Sequence, residues 1–327
     1  MQLEGLDILL TYECTGRCAH CCYRAGPGAG STMTVEEVAG YLAEVEDRQL
    51  EWVLLFGGEP FVCYDLLRAS VGLAVQLAEV LVFTNGYWAT GPDAARRLLP
   101  GLQAEGLDHI LFSVDAFHQE HVPVERIAVG IQAPKELGFS RVEIDSRFLS
   151  EPGDDNPVNL RTWSSLDRLG RLCELDSVAA DRGPARMVGR AADLLTPRLA
   201  SRPGPWRECP LPGYLGGDLR APTTVEIHPG GWVNLCAGLA LGNARQHRLS
   251  DIVAAYDPDS HPIVSVLARE GPSGLLRLAR RHGLSPAEGY ADGCHLCYQA
   301  RRLLRPAYPR HLAPARPYGA EHGGAVR

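Results

Sequence analysis

The stretch Glu13-Cys14-Thr15-Gly16-Arg17-Cys18-Ala19-His20-Cys21 sets three thiols on one short loop with the spacing C-x3-C-x2-C. Thiolates are soft ligands, and three of them this close suit an iron-sulfur cluster. A four-iron cluster normally takes four cysteines, so three leave one iron open to a small molecule. Zinc held by three sulfurs and His20 is the alternative, although structural zinc sites usually draw on two separated pairs. A second set, Cys209, Cys236, Cys294 and Cys297, ends in a C-x2-C pair. Four thiolates make a closed site, and spacing alone leaves tetrahedral zinc and an iron-sulfur cluster equally acceptable there. Of the other thiols, Cys173 falls in an apolar helical pattern and reads as packing, while Cys22 and Cys63 lie beside chemistry-bearing segments.

Positioning seven ligands needs a sizeable fold, and 327 residues with 45% hydrophobic content supply one of about two domains. Lys and Arg total 32 against 39 Asp and Glu, a net charge of −7 with no basic block, which argues against nucleic acid as a partner. No signal-peptide pattern opens the chain and no run near 18 apolar residues crosses it, so the expectation is a cytoplasmic protein without a membrane segment. In that reducing compartment ten cysteines point to metal rather than disulfides.

Short branched apolar runs alternate with amphipathic stretches, the rhythm of repeated strand-helix units around a parallel sheet. Strands are expected at 6–13, 52–57, 80–85, 110–115 and 141–147, with a short sixth at 185–188. Ligands gather at the C-terminal ends of such strands. Thr34 with Glu37 three residues on is a capping box opening a helix through Val38, Leu42 and Val45, and 160–175 is a further helix. Prolines 197, 203, 205, 210 and 212 mark a linker before a hairpin at 223–228 and 232–236. The expected division is a core barrel over 1–200, a cysteine-bearing domain over 201–305 with its C-x2-C pair ahead of a helix, and a disordered tail over 306–327.

The three-cysteine loop, with His20 before its third cysteine, resembles the signature of the radical S-adenosylmethionine (SAM) superfamily. The resemblance extends to Phe56-Gly57-Gly58-Glu59-Pro60, which matches the family's glycine-rich motif; a tight strand-to-helix turn is the plain structural reading of the same residues. It implies an α/β fold, a partial (β/α)6 TIM-like barrel. In that barrel Cys14, Cys18 and Cys21 hold a 4Fe-4S cluster whose open iron binds SAM, and Gly57, Gly58, Glu59 and Pro60 contact the SAM amino group. By the same resemblance Ser113 and Asp115 are candidates for the SAM ribose and carboxylate, and Arg147 for the carboxylate through its planar fork. Thr84, His118 and Arg190 lie near strand ends, where a local hydrogen bond is the competing reading. Gly231-x4-Cys236, preceded by Cys209 and followed by C-x2-C, resembles the twitch form of the SPASM extension, which implies one auxiliary 4Fe-4S cluster on Cys209, Cys236, Cys294 and Cys297. The gap between Cys209 and Gly231 is longer than usual in that domain.

Such enzymes use one electron from the cluster to break SAM, giving a 5′-deoxyadenosyl radical that removes hydrogen from a substrate. The implied cofactors are two 4Fe-4S clusters and SAM, with flavodoxin or ferredoxin as reductant. The implied substrate is a peptide or a small metabolite such as an aminosugar, which would be oxidised, epimerised or crosslinked. Cys63 and Cys22 are candidate hydrogen-atom donors, against the reading of inert, partly buried thiols. The competing functions are a radical SAM enzyme whose C-terminal cysteines hold structural zinc, and a non-catalytic zinc or iron-sulfur protein.

Overall fold

The computed structural model describes residues 1–210, 218–285, 287 and 289–319. The chain forms two compact units: one of Asp7–Cys18 and Ala25–Ala185, the other of Met1–Leu6, Ala19–Arg24 and the chain from Arg186 onward. The division falls at 185/186, ahead of the expected 200/201, and the segment 19–24 groups with the C-terminal unit.

The first unit is a sheet of six strands in the order β6-β5-β4-β3-β2-β1. They are β1 (Gly5–Leu9), β2 (Trp52–Phe56), β3 (Glu79–Thr84), β4 (His109–Ser113), β5 (Arg141–Phe148) and β6 (Ala179–Pro184). Parallel pairing is in register from β2 to β6, and Leu10 N–H donates to Phe56 O at 2.8 Å beside β2. Between the strands lie α1 (Val35–Ala43), α2 (Tyr64–Ala74), α3 (Pro92–Ala104), α4 (Val124–Leu137) and α5 (Pro157–Leu172). This α/β alternation carries a mostly parallel sheet, as expected.

Local chemistry starts the helices. Thr34 Oγ1 accepts from Glu37 N and Glu37 Oε2 accepts from Thr34 N, the reciprocal cap expected for α1. Asn156 caps α5 by accepting from Val158 N and Asn159 N. The sixth strand lies upstream of its expected place at 185–188: it is Ala-Ala-Asp-Arg-Gly-Pro, and its residues are mostly exposed. At the sheet edge it has one strand neighbour, so it carries no buried apolar alternation by which to be recognised.

The second unit holds α6 (Arg190–Leu194), the antiparallel strands β7 (Thr224–Ile227), β8 (Trp232–Cys236) and β9 (Leu239–Asn243), then α7 (Leu249–Ala254), α8 (Val264–Arg281) and α9 (Gly293–Leu304). Gly230 and Gly231 turn the expected hairpin at φ 91° and 82°, which a side chain would strain. The chain after 305 departs from a disordered tail as far as residue 319. Tyr318 is buried and its hydroxyl donates to Gly238 O at 2.6 Å, while Asn234 Nδ2 donates to Ala313 O at 2.8 Å. Two side-chain to backbone bonds thus tie the supposed tail to β8 and the turn after it, and residues 320–327 lie outside the described residues.

Candidate functional site

The cysteine loop follows β1 and is tied down along its length. Gly58 N–H donates to Thr11 O at 2.6 Å and Glu59 N–H to Glu13 O at 2.9 Å, while Cys14 N–H donates to Gly26 O at 3.3 Å. Glu13 accepts from Gly28 N and Gly30 N, bonds that hold its carboxyl below the usual range. A β-carbon at Gly57 would stand 2.7 Å from Thr11 O, and one at Gly58 would stand 2.2 Å from Glu13 O. Neither glycine has a positive φ, so what excludes a side chain is the crossing of the cysteine-loop backbone rather than turn conformation.

Cys14 and Cys18 are buried. Cys14 Sγ accepts from Gly16 N at 3.5 Å and from Asn85 Nδ2 at 3.7 Å, and Asn85 Nδ2 also reaches Thr15 Oγ1 at 3.2 Å. Donors aimed at a sulfur stabilise its thiolate and tune a metal bound there. The sequence by itself does not single out Asn85; its place beside Cys14 comes from its position immediately after β3. Cys21 belongs to the other unit, where Arg190 N–H donates to Cys21 O at 3.0 Å and Gly189, at φ 64°, leaves no room for a β-carbon against Cys22 O.

Glu59 is fully buried. Oε1 accepts from Phe61 N at 3.1 Å and Thr84 Oγ1 at 2.8 Å, and Oε2 accepts from Asn85 N at 2.7 Å. Burial pushes its pKa up to about 7 against the pull of these donors. The carboxylate thus clamps the Gly-Gly-Glu-Pro turn to the end of β3, and Pro60 opens the short 3-10 turn that follows. Glu59→Gln would turn an amide N–H₂ toward either Asn85 N–H or Phe61 N–H. Leaving one buried backbone donor unpaired should cost about 1–3 kcal/mol, read by urea unfolding at pH 8; an unchanged midpoint would remove the clamp from the account.

Ser113 and Asp115, both buried, finish β4, with Ser113 in register with Asp145 of β5. Asp115 Oδ1 accepts from Phe117 N and His118 N, both at 3.0 Å; Oδ2 accepts from His118 Nδ1 at 2.9 Å and Arg147 N at 3.3 Å. Burial lowers the His118 pKa, but the Asp115 charge and hydrogen bond raise it more, leaving it above the ordinary value. Arg147 is engaged within the sheet: its guanidinium pairs with Asp145 and with Asp181 of β6. Cys63 donates to Pro60 O at 3.3 Å, and burial together with the nearby Glu59 pushes its thiol up to about 12. Cys22 is likewise pushed up, to about 11, by burial. Both therefore keep their S–H at neutral pH, the form a hydrogen-atom donor needs.

In the second unit Cys209, Cys236, Cys294 and Cys297 all line one small cavity, otherwise walled by apolar side chains such as Leu235, Leu239 and Leu267 and by Arg301. Cys209 thus faces the same space as the other three despite the long gap that follows it. The C-x2-C pair sits inside the first turns of α9 rather than ahead of a helix, and Asp292 caps that helix by accepting from His295 N. Burial raises the Cys294 and Cys297 thiols, so in an apolar hole they stay neutral unless a cation takes the proton's place. Four such sulfurs around one cavity fit a soft metal or an iron-sulfur cluster. Arg301 was not singled out from the sequence, although a charge four residues after Cys297 on the ligand face of a helix was the available signal.

Residues 8–137 match the Radical SAM superfamily. A probable GTP 3′,8-cyclase of Methanocella arvoryzae is 27% identical over 165 residues, covering 47% of this chain and 50% of that protein. GTP 3′,8-cyclase 2 of Pseudomonas aeruginosa is 23% identical over 229 residues, covering 63% and 67%. The chain thus spans about half the length of the first of these relatives and two thirds of the second. Among solved structures, BtrN in complex with AdoMet and 2-DOIA aligns with a TM-score of 0.48 at 14% identity, over 84% of this chain and 90% of that one. SuiB of Streptococcus suis bound to the precursor peptide SuiA aligns with a TM-score of 0.44 at 16% identity, over 80% and 67%. Residues 8–137 of this chain are a domain of the Radical SAM superfamily.

Proposed function

We propose that the protein is a radical SAM enzyme with one auxiliary 4Fe-4S cluster. The observation that carries this reading is the three-cysteine loop inside the matched domain, with Cys14 Sγ already receiving two N–H donors. When bound, a 4Fe-4S cluster with SAM on its open iron supplies reductive cleavage of SAM and a hydrogen-abstracting 5′-deoxyadenosyl radical. Cys14, Cys18 and Cys21 would hold that cluster; Cys209, Cys236, Cys294 and Cys297 would hold the auxiliary one. Gly57 and Gly58 let the SAM-binding turn press against the cysteine loop, and Glu59 fixes that turn from behind. Ser113 and Asp115 offer polar groups to SAM at the end of β4, and His118 is held by Asp115. Arg147, neutralised by two aspartates, serves the same surface as a brace for β5 and β6. Cys63 and Cys22 are held protonated, as hydrogen donation to a substrate radical requires.

The relatives named GTP 3′,8-cyclase favour a small metabolite over a peptide as substrate, acted on by radical rearrangement or oxidation, with flavodoxin or ferredoxin as reductant. Among the described residues no helix is long and apolar enough to cross a membrane. The test is iron and zinc per chain after anaerobic reconstitution, together with 5′-deoxyadenosine formed from SAM and dithionite. About eight irons should fall to about four in a Cys14/Cys18/Cys21→Ala variant, with all 5′-deoxyadenosine lost. About four irons and one zinc in the wild type would favour the second reading, a radical SAM enzyme with a structural zinc site; no iron would end both.

A further inference from the structure

Arg301 is among the most deeply buried side chains of the protein, at 1% exposure, and it lines the cavity of the four cysteines. Its Nη1 donates to Ala237 O at 3.0 Å and to Tyr318 Oη at 3.3 Å, and its guanidinium carbon lies 5.9 Å from the Tyr318 ring centroid. Those partners are neutral. Among the described residues no carboxylate stands within ion-pair distance of it, and its buried Nε has no hydrogen-bond partner. A guanidinium cannot shed its proton to escape burial, so a cation in this position calls for an anion.

Among the described residues, the groups able to become anionic that act most strongly on it are the Tyr318 phenol and the sulfurs of Cys297, Cys236 and Cys294. Cys294, Cys297 and Arg301 stand at i, i+3 and i+7 on α9, one face of the helix, so the charge and half of the ligand set are delivered together. Burial raises the Cys297 thiol while the Arg301 charge pulls it the other way.

We infer that Arg301 is the fixed counter-charge of the four-cysteine site, holding a metal group made anionic by its thiolates and setting how readily that group accepts an electron. This rests on the reading of the four cysteines as ligands. A cation beside a cluster stabilises its more negative, reduced state; net charge and hydrogen bonds to sulfur are among the terms that set cluster potentials. A purely structural role, tying Ala237 and Tyr318 to α9, would leave the potential alone.

The test uses the full chain with Cys14, Cys18 and Cys21 changed to Ala, so that metal remains only at the C-terminal site. Arg301→Met and Arg301→Lys are compared with this parent for metal content, for midpoint potential in a dye-mediated titration followed by electron paramagnetic resonance, and for fold by circular dichroism. The expected result is iron retained in both, with the reduced-to-oxidised ratio at fixed potential at least tenfold lower in Arg301→Met, which equals about 59 mV for one electron, and largely restored in Arg301→Lys. Loss of iron from Arg301→Met with retention in Arg301→Lys also supports the inference. Iron retained in Arg301→Met at the parent potential overturns it, as does loss of iron from both variants. If the parent carries zinc, the cluster reading falls but the counter-charge is tested by chelator competition: at least tenfold weaker zinc retention in Arg301→Met supports it, and equal retention overturns it. A parent with no metal overturns both.

Discussion

Gly58→Ala is expected to unfold the cysteine loop. The new β-carbon would stand 2.2 Å from Glu13 O, 2.7 Å from Glu13 C and 2.8 Å from Tyr12 O. All three are backbone atoms, so no flexible side chain can move aside; relief requires separating the Gly-Gly turn from the strand extension that carries Cys14. That separation breaks the bonds from Gly58 N to Thr11 O and from Glu59 N to Glu13 O. The expected cost is more than about 4 kcal/mol, in the range reserved for the most damaging single changes, and a fall in melting temperature on the order of 10 °C. Iron bound by the three-cysteine loop should be lost with it. Gly40→Ala is the control: that glycine sits exposed inside α1 with nothing within 4 Å of its missing β-carbon, and alanine there should stabilise by about 1 kcal/mol. A Gly58→Ala protein as stable as wild type, with full iron, would refute the packing account of the motif.

Asp115→Asn is expected to be nearly as damaging. The carboxylate is fully buried and accepts from three backbone N–H groups and one imidazole. An amide in its place must turn a donor toward at least one of them. Removing one partner of a buried charged pair costs about 3–5 kcal/mol. The loss should depend on pH through His118. Its folded-state pKa is raised, so its contribution to stability is fully present below its unfolded value and disappears as pH rises through the folded one. The gap in unfolding free energy between wild type and Asp115→Asn should therefore be wider at pH 6 than at pH 9, measured by urea unfolding at both. A gap that is constant or grows with pH would mean that the Asp115–His118 pair does not supply it.

The inner strands were legible because apolar alternation and burial agree: Val53, Leu55, Val80, Val82, Ile110, Phe112, Val142 and Ile144 are all buried. The edge strand β6 was not, since exposure on an edge removes the selection for apolar residues that the pattern depends on. Of the cysteines that stand out in the sequence, Cys209, Cys236, Cys294 and Cys297 line one cavity, a grouping that the C-x2-C pair alone could signal only for its own two members. The roles of Glu59, Asp115 and Arg147 could not be read from the sequence, because each depends on which N–H or carboxylate the neighbouring strand brings, and that is settled by register. Residues 312–318 were read as tail from their prolines and arginines, yet Leu312, Ala313 and Tyr318 are buried against the hairpin. Composition had outweighed three apolar side chains.

The four cysteines around the second unit's cavity come from an irregular segment, the end of a strand and the start of α9, so long stretches of chain separate Cys209, Cys236 and the Cys294/Cys297 pair. During synthesis Cys14, Cys18 and Cys21 emerge together, whereas Cys297 follows Cys21 only after a further 276 residues. A metal group held by all four would close long loops and act as a cross-link whose benefit grows with the chain entropy it removes. If the four cysteines do hold such a group, it can be loaded only once Cys297 has been made, so a chelator present during synthesis should lower metal at that site more than at the three-cysteine loop.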